Sequence, residues 1–317
     1  MVAGDLIKNA FLFPGQGAQY AGMGKDLYEA FAESRAIFDS ADRVLNFPLS
    51  KLCFEGPITE LTRTKNCQPA VFTTSIACLK AFSSIRHPVS VLYMAGLSLG
   101  EYAALVAAGA LSFEDGLLLV AQRARFMEEA AKENPGRMSS ILGLGLDAVE
   151  RIARESGAQV ANLNCPGQTV ISGPAQAIEE ANKAALAQGA RRAVNLEVSG
   201  GFHSSLMQPA ADKLAEALNN IEIKSPKVTV VSNVDALPEA SGEQIKNNLV
   251  RQITSAVLWE KSVRFILQQG ISKFYEIGPG KVLKGLLRKI DPSVEVDNIG
   301  SKADIDRLSG GEDEIKG

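Results

Sequence analysis

A serine flanked by glycines, Gly96-Leu97-Ser98-Leu99-Gly100, lies where the apolar run 91–95 gives way to an Ala-rich stretch. The pattern G-x-S-x-G fits a strand-to-helix elbow. Its glycines admit a sharp backbone turn, and the serine hydroxyl is exposed at the N-terminus of the following helix, where developing negative charge is favoured. A structural Gly-Ser turn is the alternative. A serine hydroxyl is a weak nucleophile until a positioned base takes its proton, and the chain has only two histidines. His87 precedes Pro88 in a loop before the serine's strand, which places it on the surface at the opposite end of that strand. His203, within Ser199-Gly200-Gly201-Phe202-His203-Ser204-Ser205, is then the candidate base. A histidine capping its own helix is the competing reading.

Acyl chemistry at Ser98 would also need two N–H groups aimed at one oxyanion. Elbow geometry assigns one to Leu99, and Gln16, in the turn Pro14-Gly15-Gln16-Gly17, is a candidate for the second. Arg123 and Arg125 are two apart on a helix predicted over 113–131, so they cannot share a face and one points further inward. An inward arginine could hold a substrate carboxylate through two parallel hydrogen bonds. A pair of solvated or ion-paired arginines is the alternative.

Periodicity and punctuation place these residues on elements. Strands are predicted over 10–13 and 89–95, with helices over 26–45, 59–64, 69–85, 101–108 and 113–131. After the break Asn134-Pro135-Gly136 come a strand (138–144), a helix (147–155), strands (158–164 and 169–172), a helix (175–188) and a strand (193–198). That order, β-α-β-β-α-β, is the arrangement of a ferredoxin-like unit. The chain then returns to its earlier style, with 203–218 helical, 228–232 a strand, 242–269 helical in two pieces, 273–277 a strand and 282–290 a helix. The expected division is a main core from 1–134 and 200–299, a subdomain over 135–199, and a disordered polar tail over 300–317.

The bulk numbers narrow the function classes. A net charge of -3 over 317 residues argues against a nucleic-acid binder that works by phosphate neutralisation. Cys53, Cys67, Cys78 and Cys165 form no CxxC pair or zinc spacing, so reduced thiols and no metal site are expected. No secretory leader is apparent, and no apolar run approaches the ~18 residues of a membrane span. A soluble, cytoplasmic protein with no membrane partner is expected.

Several ordered stretches, FLFPGQGAQYAGMG, GLSLGEYAAL, QRARFM, ANLNCPGQTVISG, HSSLMQPAADKL, SNVDA, LVRQ and EIGPGKVL, resemble one family. It is that of the malonyl-CoA:acyl carrier protein transacylases and the acyltransferase domains of fatty acid and polyketide synthases. The resemblance runs from about residue 11 to 299. It implies an α/β fold, with an α/β-hydrolase-like core and an inserted ferredoxin-like subdomain. It also implies Ser98 as the acylated nucleophile, His203 as its base, Gln16 and Leu99 as oxyanion-hole residues, and Arg123 as the partner of the malonyl carboxylate. Gln252, in LVRQ, matches the position whose backbone carbonyl orients the histidine in place of an acidic triad member.

The implied activity is malonyl transfer from malonyl-CoA to the phosphopantetheine thiol of acyl carrier protein, for fatty acid biosynthesis. CoA enters as substrate, no cofactor is required, and a monomer is expected. Two features stand out against the family pattern. Leu97 occupies the position usually held by histidine, while Phe202 resembles the bulky residue of malonyl-selective domains. A serine hydrolase, an acyltransferase for another acyl group, and a non-catalytic carrier-docking module are the competing readings. Lys281, Lys284, Arg288 and Lys289 are a candidate surface for an acidic carrier, unless they form only the solvated face of an amphipathic helix.

Overall fold

The computed structural model describes residues 8–85 and 90–310. Among the described residues nine strands are formed, β1 (Asn9–Phe13), β2 (Val91–Gly96), β3 (Arg137–Leu142), β4 (Gln159–Cys165), β5 (Gln168–Gly173), β6 (Arg192–Asn195), β7 (Thr229–Val230), β8 (Lys273–Ile277) and β9 (Glu295–Ile299). Five of them make a sheet in the order β7-β2-β1-β8-β9, with every pair parallel. Parallel strands need crossovers, and helices on both faces bury the sheet. β1 shows the consequence, because all five of its residues are buried. Its pleat sends Phe11 and Phe13 into one apolar layer and Ala10 and Leu12 into the other.

The remaining four strands form an antiparallel sheet in the order β4-β5-β3-β6. Helices Leu146–Ser156 and Ala175–Ala187 connect its strands. Their apolar stripes, including Val149, Ile152, Ile178 and Ala181, pack with Ile141 and Ile171 in a separate core cluster. Met138, Ser140 and Val170, on the other side of the pleat, line the cavity described below. The fold is mixed α/β with a parallel sheet.

Most predicted elements are present within a few residues, and the differences are local. The helix predicted over 26–45 is two helices, Lys25–Ala30 and Ala32–Leu45, separated at Phe31, whose backbone is extended. Pro69 lies inside a helix that already begins at Thr64 and runs to Ile85. The segment 300–317 was expected to be a disordered tail, yet Lys302–Gly310 is a helix. Ser301 Oγ accepts from the Asp304 amide at 3.2 Å, Asp26 accepts from the Lys302 amide at 2.6 Å, and Ile305 is buried. An end cap and one anchored apolar residue therefore order a segment whose composition is polar. Residues 311–317 and His87 lie outside the described residues. All four cysteines are free and buried, and burial pushes the Cys53 and Cys67 thiols up to about 12. Among the described residues no helix is long and apolar enough to cross a membrane.

Candidate active site

The parallel strands deliver their C-terminal ends to one place, the usual binding edge of such sheets. Gln16 follows β1, Ser98 follows β2 and Asn233 follows β7. Between β2 and helix Gly100–Ala107 the chain turns so tightly that Ser98 has φ of 51°, in the left-handed region. The glycines on either side are required sterically. A Cβ on Gly96 would lie 1.9 Å from the Gly100 carbonyl carbon, and one on Gly100 would lie 2.1 Å from the Phe13 oxygen. His203 is also left-handed, with φ of 58°. It precedes the short 3-10 turn Ser205–Met207 and helix Gln208–Leu218, so the helix predicted to begin at 203 starts later and His203 is not its cap.

Ser98 Oγ lies 2.8 Å from His203 Nε2, and His203 Nδ1 lies 2.8 Å from the Gln252 backbone oxygen. A carbonyl can only accept, so Nδ1 carries the proton of the neutral ring and Nε2 is left to accept from the serine. His203 is buried, and burial together with the nearby Arg123 charge pushes its pKa down to about 4. At neutral pH the ring is therefore uncharged and able to take a proton.

Arg123 is 1% exposed, whereas the Arg125 side chain is 64% exposed and pairs with Glu129. The Arg123 Nη2 donates to Ser98 Oγ and to Gln252 Oε1, both at 2.9 Å, and Nη1 donates to Gln68 Oε1 at 2.7 Å. Its guanidinium carbon lies 5.6 Å from the Tyr102 ring centroid. Among the described residues no carboxylate is within ion-pair distance of Arg123, and its Nε has no hydrogen-bond partner. The partners of this buried cation are neutral, and an anionic ligand group would complete them. Burial lowers the pKa of the guanidinium and raises that of the Glu101 carboxyl. Glu101 is linked to the arginine by hydrogen bonds through Gln252, whose Nε2 donates to Glu101 Oε2 at 2.9 Å and whose Oε1 accepts from Arg123, and the two charges also act on each other directly.

Gln16, Leu97, Ser98, Leu99, Arg123, Phe202 and His203 all line one cavity of about 260 Å3 between the two sheets. The amides of Gln16 and Leu99 have no protein acceptor among the described residues. The N–H of Leu97 donates to Phe13 O at 3.1 Å, and its side chain packs against an apolar cluster. Among the described residues no group of three or more His, Cys, Asp or Glu side chains is placed to hold a metal ion.

Sequence reasoning missed Gln68, Glu101 and Asn233. A lone buried acid directly after the elbow, in Gly100-Glu101-Tyr102, was the available signal for Glu101. Gln68 and Asn233 look like ordinary loop or helix polarity until the fold brings them together.

Side chains that pair a serine with a neutral histidine beside a buried arginine, at the C-terminal edge of a parallel sheet, define a site suited to acyl transfer. A family model described as "Acyl transferase domain" matches residues 10–303. A malonyl CoA-acyl carrier protein transacylase of Bacillus subtilis (strain 168) is 49% identical over 289 residues, covering 90% of each chain. The crystal structure of an acyl-carrier-protein S-malonyltransferase from Bartonella henselae is 40% identical with a TM-score of 0.92, covering 96% of this chain and 100% of that one. A malonyl-transacylase solved in complex with a type II PKS acyl-carrier protein is also 40% identical, with a TM-score of 0.91 and coverage of 96% and 99%. The chain belongs to the acyl transferase domain family. It is an acyltransferase.

Proposed function

We propose that this enzyme transfers a malonyl group from malonyl-CoA to the phosphopantetheine thiol of an acyl carrier protein, through a malonyl ester on Ser98. The observation that carries the reading is the position of Ser98 Oγ, between His203 Nε2 at 2.8 Å and the buried Arg123 Nη2 at 2.9 Å. The base and the carboxylate partner thus meet at one nucleophile. The fold is read as an α/β-hydrolase-like core carrying a ferredoxin-like subdomain over 135–199. The β-α-β-β-α-β order and the strand order β4-β5-β3-β6 support that reading.

In the first half-reaction His203 Nε2 takes the Ser98 proton as Oγ attacks the thioester carbonyl. The amides of Gln16 and Leu99 receive the oxyanion. Collapse expels the CoA thiolate, which takes the proton from His203, and the malonyl-serine ester remains. The carrier's pantetheine thiol then gives its proton to His203 and attacks the ester, and Ser98 Oγ leaves and recovers that proton. Gln252 holds the base through its backbone oxygen and the arginine through its side chain. Arg123 binds the malonyl carboxylate and so selects against acetyl groups, which would leave the buried cation without its partner. Phe202 lines the cavity and disfavours a branched acyl group. No cofactor is needed beyond the CoA thioester itself. The exposed side chains of Lys281, Arg288 and Lys289 sit on helix Val282–Ile290 and its start, which lends Val282 and Leu286 to the cavity wall. They offer an acidic carrier a docking face. Fatty acid biosynthesis is the pathway we assign.

The test is a transfer assay with a holo-carrier protein and malonyl-, acetyl- and methylmalonyl-CoA in separate reactions, following free CoA and carrier mass together. Carrier acylation from malonyl-CoA alone is expected. Release of CoA with an unmodified carrier would overturn the reading in favour of hydrolysis.

A further inference from the structure

The serine of the elbow is held in its left-handed conformation by a residue remote in sequence. The Asn233 side chain accepts from the Ser98 amide at 2.6 Å and donates to the Gly96 carbonyl at 2.7 Å. One planar amide therefore bridges both sides of the turn, on the strand side and at the nucleophile itself. Asn233 is fully buried, and its own backbone N–H donates to Glu101 Oε2 at 3.0 Å. The same carboxylate oxygen accepts from Gln252 Nε2, and that nitrogen also lies 3.1 Å from the Ser98 carbonyl. Glu101 lies in the first turn of the helix that follows the elbow, so its carboxylate ties together the turn, Asn233 and the residue that holds both His203 and Arg123.

We propose that Asn233 is a positioning residue for Ser98, its side-chain amide clamping the elbow turn, with Glu101 anchoring both Asn233 and Gln252. This rests on the reading of Ser98 as the acylated nucleophile. Its physical content is that a left-handed non-glycine residue persists only where its surroundings over-determine it. Here two hydrogen bonds of opposite sense, supplied by the two ends of one planar amide, fix the peptide groups around Ser98. An aspartate at 233 keeps the acceptor for the Ser98 amide and loses the donor to Gly96. A glutamine at 101 keeps an acceptor oxygen for Asn233 and Gln252.

The experiment compares single-turnover acylation by malonyl-CoA in the parent enzyme and in Asn233→Ala, Asn233→Asp, Glu101→Gln and Glu101→Leu. Reactive sites are counted separately with a fluorophosphonate probe, so that rates refer to folded enzyme. Asn233→Ala should slow acylation per site about 100-fold, the scale expected when a nucleophile is misplaced by about 1 Å, with the KM for malonyl-CoA changed less than about threefold because Arg123 is retained. Asn233→Asp should recover part of the rate, and Glu101→Gln should exceed Glu101→Leu. If Asn233→Ala does not fold, Asn233→Asp and the Glu101 pair decide by the same per-site rates. Per-site rates within about threefold of the parent in every folded variant, or a loss expressed in KM alone, would overturn the clamp. A parent enzyme that takes the fluorophosphonate but is never acylated by malonyl-CoA would instead sink the reading on which the proposal rests.

Discussion

At the C-terminal edge of the parallel sheet Glu101, Arg123, Asn233 and Gln252 are all buried, and Ser98 and His203 both hold left-handed backbone. The antiparallel sheet is built differently. Its covered face is an apolar cluster of Ile141, Val149, Ile152, Ile171 and Ile178, and no non-glycine residue of 137–195 has positive φ. Both regions are well-formed sheets backed by helices and both bury polar side chains, Ser139, Asn164 and Ser172 among them in the antiparallel sheet, yet only the edge of the parallel sheet combines buried charged groups with left-handed non-glycine backbone. Two of the four left-handed non-glycine residues among the described residues, Ser98 and His203, meet there in one hydrogen bond. The antiparallel sheet supplies a wall of the cavity, through Met138, Ser140 and Val170, while the residues we propose for the chemistry follow strands of the parallel sheet or pack against its edge. Strain and buried polarity persist where a network over-determines them, as the Glu101, Asn233 and Gln252 contacts do here.

The comparison can be broken first at its strongest point. Ser98→Ala or His203→Ala should lower malonyl transfer roughly 10^4-fold or more, measured as carrier acylation under saturating malonyl-CoA. Far-UV circular dichroism should be unchanged. Arg123→Ala should collapse the preference for malonyl-CoA over acetyl-CoA, which a site built around one buried charge partner can raise to about 10^4. Paired kcat/KM values read this directly, and an unchanged ratio would remove Arg123 from the substrate.

A smaller effect comes from pH. The neutral ring of His203 is the base we propose and its pKa is pushed down to about 4, so the acid limb of kcat/KM should lie near pH 4 rather than near 6.5. Stability follows the same sign. Between those values the unfolded histidine binds a proton that the folded one refuses. The contribution is therefore intact above about pH 6.5 and is lost as pH falls towards 4. Denaturant titrations of the parent and His203→Asn across that window would show the parent's steeper decline.

The last prediction sharpens the contrast from the other side. Ile171→Ala, in the apolar cluster of the antiparallel sheet, should cost about 2–4 kcal/mol of stability in urea. The kcat/KM of the folded enzyme should remain within about twofold, since nothing at Ile171 touches the reacting groups.

Much of this arrangement is legible in the sequence because the relevant signals are short-range. The elbow glycines, the paucity of histidines and the two-residue offset of Arg123 and Arg125 each translate into a single geometric consequence. The six strands and helices of 137–195 follow from alternation and helical spacing in adjacent stretches. What is not legible depends on distant partners. β9 pairs in parallel with β8, and its ordering comes from that ladder more than from EVDNI itself. Helix Leu49–Glu55 is a short element whose Leu49, Leu52 and Cys53 are buried by neighbours. Asn233 and Ser98 are 135 residues apart in the chain, and no local pattern around Ser232-Asn233-Val234 says that its amide will close the serine's turn.

The measurement that tests the central claim most directly is intact-mass spectrometry of the enzyme quenched shortly after mixing with malonyl-CoA in the absence of carrier, followed by peptide mapping. The account predicts one added malonyl group per chain, located on Ser98 and absent from Ser98→Ala. An adduct mapped to another residue, or stoichiometric release of CoA with no adduct at any quench time, would contradict it.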